Sequence, residues 1–104
     1  MGILVRSLGK AGSVVSSSDS QQFHSGFVVL ESGKEVGEHK TGGGEELIVV
    51  IKGTAEISHD GKTEKARAPS IILVPAHTVH NVRNMANVPL YYTYVYNMAM
   101  DRPR

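Results

Sequence analysis

The sequence predicts an all-β fold, a barrel or sandwich of short strands forming one domain over residues 1–104. Three observations carry this reading. No segment sustains a 3.6-residue apolar period. Short runs rich in Val, Ile, Leu and Tyr recur at close spacing, with Gly, Pro, Asn or Asp between them. Asp60-Gly61 has the composition of a tight hairpin turn, because a type I′ turn needs positive φ at both central residues.

Taken in order, Ile3, Leu4 and Val5 form a short apolar strand candidate. Residues 9–20 are rich in Gly and Ser and read as loop, with Val14 and Val15 a candidate edge strand. Residues 23–31 read as a strand that Ser32-Gly33 breaks. Residues 34–41 alternate loosely, and Gly42, Gly43 and Gly44 form a turn. Residues 46–52 are the strongest strand: five consecutive aliphatic residues, mostly β-branched, as expected of a strand covered on both faces. Gly53 ends it. Residues 54–58 and 62–66 flank the Asp60-Gly61 turn as a hairpin. Residues 71–74 form another buried strand, stopped by Pro75. Residues 79–83 and 90–96 complete the set, and residues 98–104 form a frayed tail.

Composition excludes several classes. The formal net charge is +1 with 20% charged residues, so no basic face suited to nucleic acid stands out. No cysteine is present, which removes disulfides and thiolate metal sites. The start lacks the apolar core of a signal peptide, and the longest apolar runs fall far short of a membrane span. The expectation is a soluble cytoplasmic protein with no nucleic-acid or membrane partner.

Chemistry concentrates in two stretches, residues 33–53 and 69–84. His39 and Thr41 share a face if their strand is regular, because residues two apart point the same way. The three glycines let the chain turn back, so that Glu46 faces them. Glu46, Ile48 and Val50 share a face, which places a carboxylate at the head of an apolar line. Burying it alone costs several kcal/mol. A cation, a hydrogen bond from Thr41 or a protonated His would each offset that cost. His77 and His80 are three apart, so one of them reaches the same place. His80 shares its face with Val82 and Asn84, whereas His77 sits in a turn facing solvent or a barrel mouth. Tyr92, Tyr94 and Tyr96 share one face of the last strand, as packing residues or as substrate contacts. His24 either lines the pocket from the strand over residues 23–30 or serves as a partner residue, and His59 reads as exposed beside its turn.

The two stretches resemble the motifs of the cupins. The first cupin motif is Gly, five residues, His, one residue, His, three or four residues, Glu, six residues, Gly. Gly33, His39, Glu46 and Gly53 fall at those spacings, with Thr41 at the second His position. The second is Gly, five residues, Pro, one residue, Gly, two residues, His, three residues, Asn. Pro75, His80 and Asn84 match, with Pro69 and His77 at the glycine positions. The resemblance covers about half the chain and implies a double-stranded β-helix, the jelly-roll cupin barrel.

That resemblance implies a divalent transition metal (Fe, Mn, Zn or Ni) held by His39, Glu46 and His80, with Thr41 in place of a fourth ligand. Two His and one carboxylate form the set associated with non-haem Fe(II), and a similar set holds Zn(II). It implies an enzyme acting on a small polar metabolite: a dioxygenase, isomerase or decarboxylase. His77 or Tyr94 would then act as a catalytic proton carrier, and Thr41, Tyr92 and Tyr96 would contact substrate. The alternative is a non-catalytic or metal-free cupin that binds a sugar-like small molecule. Small cupins are commonly dimers, and residues 3–5 with an exposed sheet edge offer a homodimer interface.

Overall fold

The computed structural model describes residues 2–98. Nine strands follow one another in the chain: β1 (Gly12–Val15), β2 (Phe23–Leu30), β3 (His39–Lys40), β4 (Glu46–Lys52), β5 (Thr54–His59), β6 (Lys62–Arg67), β7 (Ser70–Val74), β8 (Val79–Arg83) and β9 (Leu90–Asn97). They form a five-stranded sheet in the order β1-β2-β9-β4-β7 and a four-stranded sheet in the order β3-β8-β5-β6. All pairings are antiparallel. The architecture is the double-stranded β-helix expected from the motifs.

The core lies between the sheets. Ile48, Val50, Val74, Leu90 and Tyr92 come from the five-stranded sheet, and Ala55, Ile57 and Val82 from the other. Each fully buried aliphatic side chain of this kind contributes about 1.5–3 kcal/mol of transfer free energy. The Asp60-Gly61 turn joins β5 to β6 with φ of 51° and 73°, the two positive values its sequence demands. Asn84 closes the other end of β8. Its buried amide donates to the carbonyls of Leu30 and Val88 at 2.9 and 2.8 Å, and its oxygen accepts from the Ala86 N–H at 3.0 Å. The Asn at this motif position therefore ties a loop and satisfies itself without a ligand.

Three strand expectations need correction. Residues 3–5 form no strand: Ile3 and Val5 are 96% and 86% exposed, with no pairing among the described residues. Covering for β4 and β7 comes from one side only. Ile48, Val50 and Val74 are buried, but Leu47, Ile51, Ile71 and Leu73 are exposed, Ile71 by 63%. Apolar composition on both faces did not separate a core strand from one whose second face meets no other layer. Most of residues 34–41 is irregular, with strand geometry confined to β3 and one bridge from Glu35 to Arg83. Of the expected tail, residues 99–104 lie outside the described residues.

Candidate metal centre

Three strands bring three side chains together. β3 and β8 pair so that His39 stands directly opposite His80. β4 begins with Glu46, which faces inward in line with buried Ile48 and Val50. The imidazole centroids of His39 and His80 are 4.2 Å apart. One nitrogen of each His and one oxygen of Glu46 lie within 4.8 Å of one another. His80 is 1% exposed, Glu46 is 9% exposed, and His39 lies open at the cavity side.

The backbone sets which nitrogen of each ring is available. Nδ1 of His39 meets the carbonyl of Gly37 at 2.9 Å, and Nδ1 of His80 meets the carbonyl of Thr78 at 2.9 Å. A carbonyl only accepts, so each Nδ1 carries the proton and donates it. In the neutral ring that leaves a lone pair on Nε2. His80 Nε2 lies 3.0 Å from Glu46 Oε1. A lone pair and a carboxylate oxygen at that distance repel unless a positive charge sits between them. Without a metal that charge is a proton: the Glu46 hydrogen bond raises the His80 pKa, against the opposing effect of burial, and the Thr78 carbonyl adds to the rise. A divalent cation meets the same requirement. The donor set therefore fits a metal, with the two imidazoles already held in the ligating tautomer.

Thr41 lines the cavity, but its hydroxyl is engaged elsewhere. It donates to the Pro75 carbonyl at 2.6 Å and accepts from the Thr78 N–H at 2.9 Å. It thereby fastens the end of β3 to the turn before β8. His77 occupies that turn, exposed, with φ of 55°, and its N–H donates to the Gly42 carbonyl. Among the described residues the cavity lining includes neither His77 nor His24.

The three donors open onto a cavity of about 590 Å³. Its walls include Val28, Val36, Ile48 and Val82, and the inward face of β9 presents Tyr92, Tyr94 and Tyr96. Tyr92 is buried and belongs to the core as well, and burial raises its pKa strongly. Burial also raises that of Tyr94. Tyr94 and Tyr96 stack at 6.1 Å with planes 14° apart, and His24 stacks on Tyr96 at 5.1 Å. His24 thus braces the tyrosines from outside the cavity. His59, expected to be exposed, is half-buried instead, with Nε2 2.5 Å from Glu64 Oε2.

Two glycines shape the cavity, and one of them, Gly26, escaped the sequence reading. A Cβ on Gly26 would sit 2.5 Å from the Tyr94 hydroxyl and 2.7 Å from ring carbons. The Tyr94 ring can lie across β2 only because residue 26 is glycine. A Cβ on Gly44 would meet the Asn97 carbonyl oxygen at 1.6 Å. The glycine turn thus closes against the end of β9, where the Asn97 N–H donates to the Glu45 carbonyl at 3.2 Å. A glycine inside strand 23–31 was the available signal for the first, since such a residue often marks a close approach. The carbonyls of Gly37 and Thr78 left no trace in side-chain spacing.

Comparison with known proteins places these features. The profile of the cupin domain matches residues 26–96. A polyketide synthase, CurC from Streptomyces cyaneus, is 29% identical over 62 residues, which cover 60% of this chain and 40% of that protein. The chain thus spans well under half the length of that curated relative. A cupin 2 conserved barrel domain protein from Salinispora arenicola superposes with a TM-score of 0.79 at 20% identity, over 95% of this chain and 92% of that one. A predicted oxalate decarboxylase from Thermotoga maritima gives 0.77 at 20% identity, over 84% and 77%. At such identity these structures share the fold. No helix among the described residues is long and apolar enough to cross a membrane.

Proposed function

The chain belongs to the cupin family, and from that premise we infer that it is a metal-dependent enzyme acting on a small oxygen-bearing metabolite. One observation carries the reading: one ring nitrogen each of His39 and His80 converges with a Glu46 oxygen at the cavity, while the Nδ1 of each ring meets a backbone carbonyl. His39, Glu46 and His80 would hold a divalent transition metal. Three protein ligands leave positions for water or substrate, which suits catalysis more than a closed structural site. When bound, such an ion polarises a carbonyl or hydroxyl oxygen and lowers the pKa of water. The residues supply the rest. The apolar walls would pack against the hydrocarbon part of a substrate. Tyr94 and Tyr96 offer hydroxyls for orienting a substrate or holding a proton, and burial raises the Tyr94 pKa.

Metal analysis of chelator-free protein tests this. The expected result is about one divalent transition metal per chain, lost in His39→Ala and His80→Ala. Protein that holds no stoichiometric metal after exposure to Fe(II), Mn(II), Zn(II) and Ni(II) overturns it. O₂ uptake and substrate turnover with the loaded protein separate an enzyme from a binder.

A metal-free binding module is the second reading. The Glu46–His80 contact at 3.0 Å satisfies both groups without a cation once His80 is protonated, and Thr41 brings no fourth donor. Self-association into a homodimer accompanies either reading. Leu47, Ile51, Ile71 and Leu73 supply exposed apolar surface on one face, and β7 is a sheet edge.

A further inference from the structure

The cavity walls bear on what enters, a question that rests on the site reading above. We propose that the cavity takes a neutral, flat, largely apolar aromatic molecule carrying an oxygen donor, such as a hydroxyaryl ketone, in preference to a small dicarboxylate or a sugar.

Size is the first ground. About 590 Å³ lies within the range of roughly 300–1,000 Å³ typical of pockets for drug-sized molecules. A small dicarboxylate would leave most of it unfilled. Charge is the second. Lys40 is the sole Lys or Arg among the described lining residues, and Glu38 and Glu46 line the same cavity. A dianion would find no guanidinium fork and, with Glu46 already compensated by His80 or a cation, would still meet the Glu38 carboxylate. Polarity is the third. Val28, Val36, Ile48 and Val82 present hydrocarbon, and the Thr41 hydroxyl is already bonded. A sugar would bury several hydroxyls against those walls without partners, each at a cost.

Shape is the fourth. Tyr94, Tyr96 and His24 form a bank of nearly parallel rings, the planes of His24 lying 7° and 12° from those of the two tyrosines. Flat aromatic molecules gain offset or edge contacts on such surfaces. Gly26 keeps this bank back from the cavity by letting Tyr94 lie over β2.

Isothermal titration calorimetry on the full chain, with and without Zn²⁺, tests the proposal with three probes: an ortho-acetylnaphthol, oxalate and glucose. The expected result is a Kd for the acetylnaphthol at least about tenfold below those of the other two. Val28→Phe, which fills a wall, weakens the acetylnaphthol by about tenfold. Gly26→Ala, which drives the Tyr94 ring toward the cavity, acts in the same direction and serves if the first variant does not fold. Equal or tighter binding of oxalate or glucose overturns the proposal, as does unchanged acetylnaphthol affinity in both variants. Acetylnaphthol binding to protein that takes up none of Fe(II), Mn(II), Zn(II) and Ni(II) supports this proposal and overturns the metal reading. Zn²⁺ uptake without acetylnaphthol binding does the reverse.

Discussion

The two faces of β4 are made of the same kinds of residue and meet opposite surroundings. On the inner face Glu46, Ile48 and Val50 are buried, with Ile48 at 1% exposure. On the outer face Leu47 and Ile51 are exposed, and the neighbouring β7 continues that surface with Ile71 and Leu73. The inner face is core and site wall at once. The outer face is apolar surface with no second layer over it among the described residues. Hydrophobic sequence is thus buried on one side of this strand and exposed on the other.

The largest test separates the faces by stability. Ile48→Ala should cost about 2–5 kcal/mol of unfolding free energy, through lost transfer and a residual cavity. Ile71→Ala should stay within about 0.5 kcal/mol. Urea unfolding at low protein concentration measures both. A cost above about 2 kcal/mol for Ile71→Ala would mean the outer face is covered core.

Metal removal probes the inner face alone. Zn²⁺ at one hundred times its Kd should raise the unfolding free energy by about 2.7 kcal/mol. The gain should survive Ile71→Ala and vanish in His39→Ala, as thermal melts with and without chelator would show.

Self-association probes the outer face alone. The double variant Ile71→Lys with Leu73→Lys should weaken a homodimer by about tenfold or more, measured by sedimentation equilibrium. A wild-type chain that sediments as a monomer at micromolar concentration removes the dimer and leaves the patch for another partner.

The smallest effect lies off both faces. Asp19 pairs with Arg6 at 2.6 Å beside the N-terminal segment. Its hydrogen bond from the Arg6 guanidinium, helped by the Ser16 N–H, lowers its pKa to about 2. A depressed carboxyl pKa stabilises the fold above the ordinary value of about 3.9, and that contribution is lost as pH falls from there through about 2. The pair is exposed, so Asp19→Asn should leave the melting temperature near that of the wild type at pH 7 and indistinguishable at pH 2. A large drop at pH 7 would give this surface pair a structural weight that neither sheet face predicts.

Much of the inner face was legible because strand parity is local. Period-two alternation aligned Glu46 with Ile48 and Val50, and set His80 with Val82 and Asn84. All of these face inward. Tyr92, Tyr94 and Tyr96 followed by the same rule. The outer face was not legible, because whether a second layer covers Leu47 or Ile71 depends on residues far away in sequence. Ile3, Leu4 and Val5 failed as a strand for a related reason: β-propensity needs a partner edge, and among the described residues they have none. The tethers on His39 and His80 come from main-chain carbonyls, which every residue carries. Gly26 looked like a weakness in a strand, and its purpose emerged only with the Tyr94 ring laid over it.

Those paired tethers have a consequence for magnetic resonance. A ring N–H held by a carbonyl at 2.9 Å exchanges slowly with water when it is shielded from solvent. His80, fully buried, should give a persistent downfield imidazole proton signal in metal-free protein, whereas the more open His39 should give one that fades as temperature rises. Nitrogen-15 shifts of the two rings would then report the tautomer of each directly. The same two resonances, followed through a titration with diamagnetic Zn²⁺, would locate the cation at the ε nitrogens without a crystal.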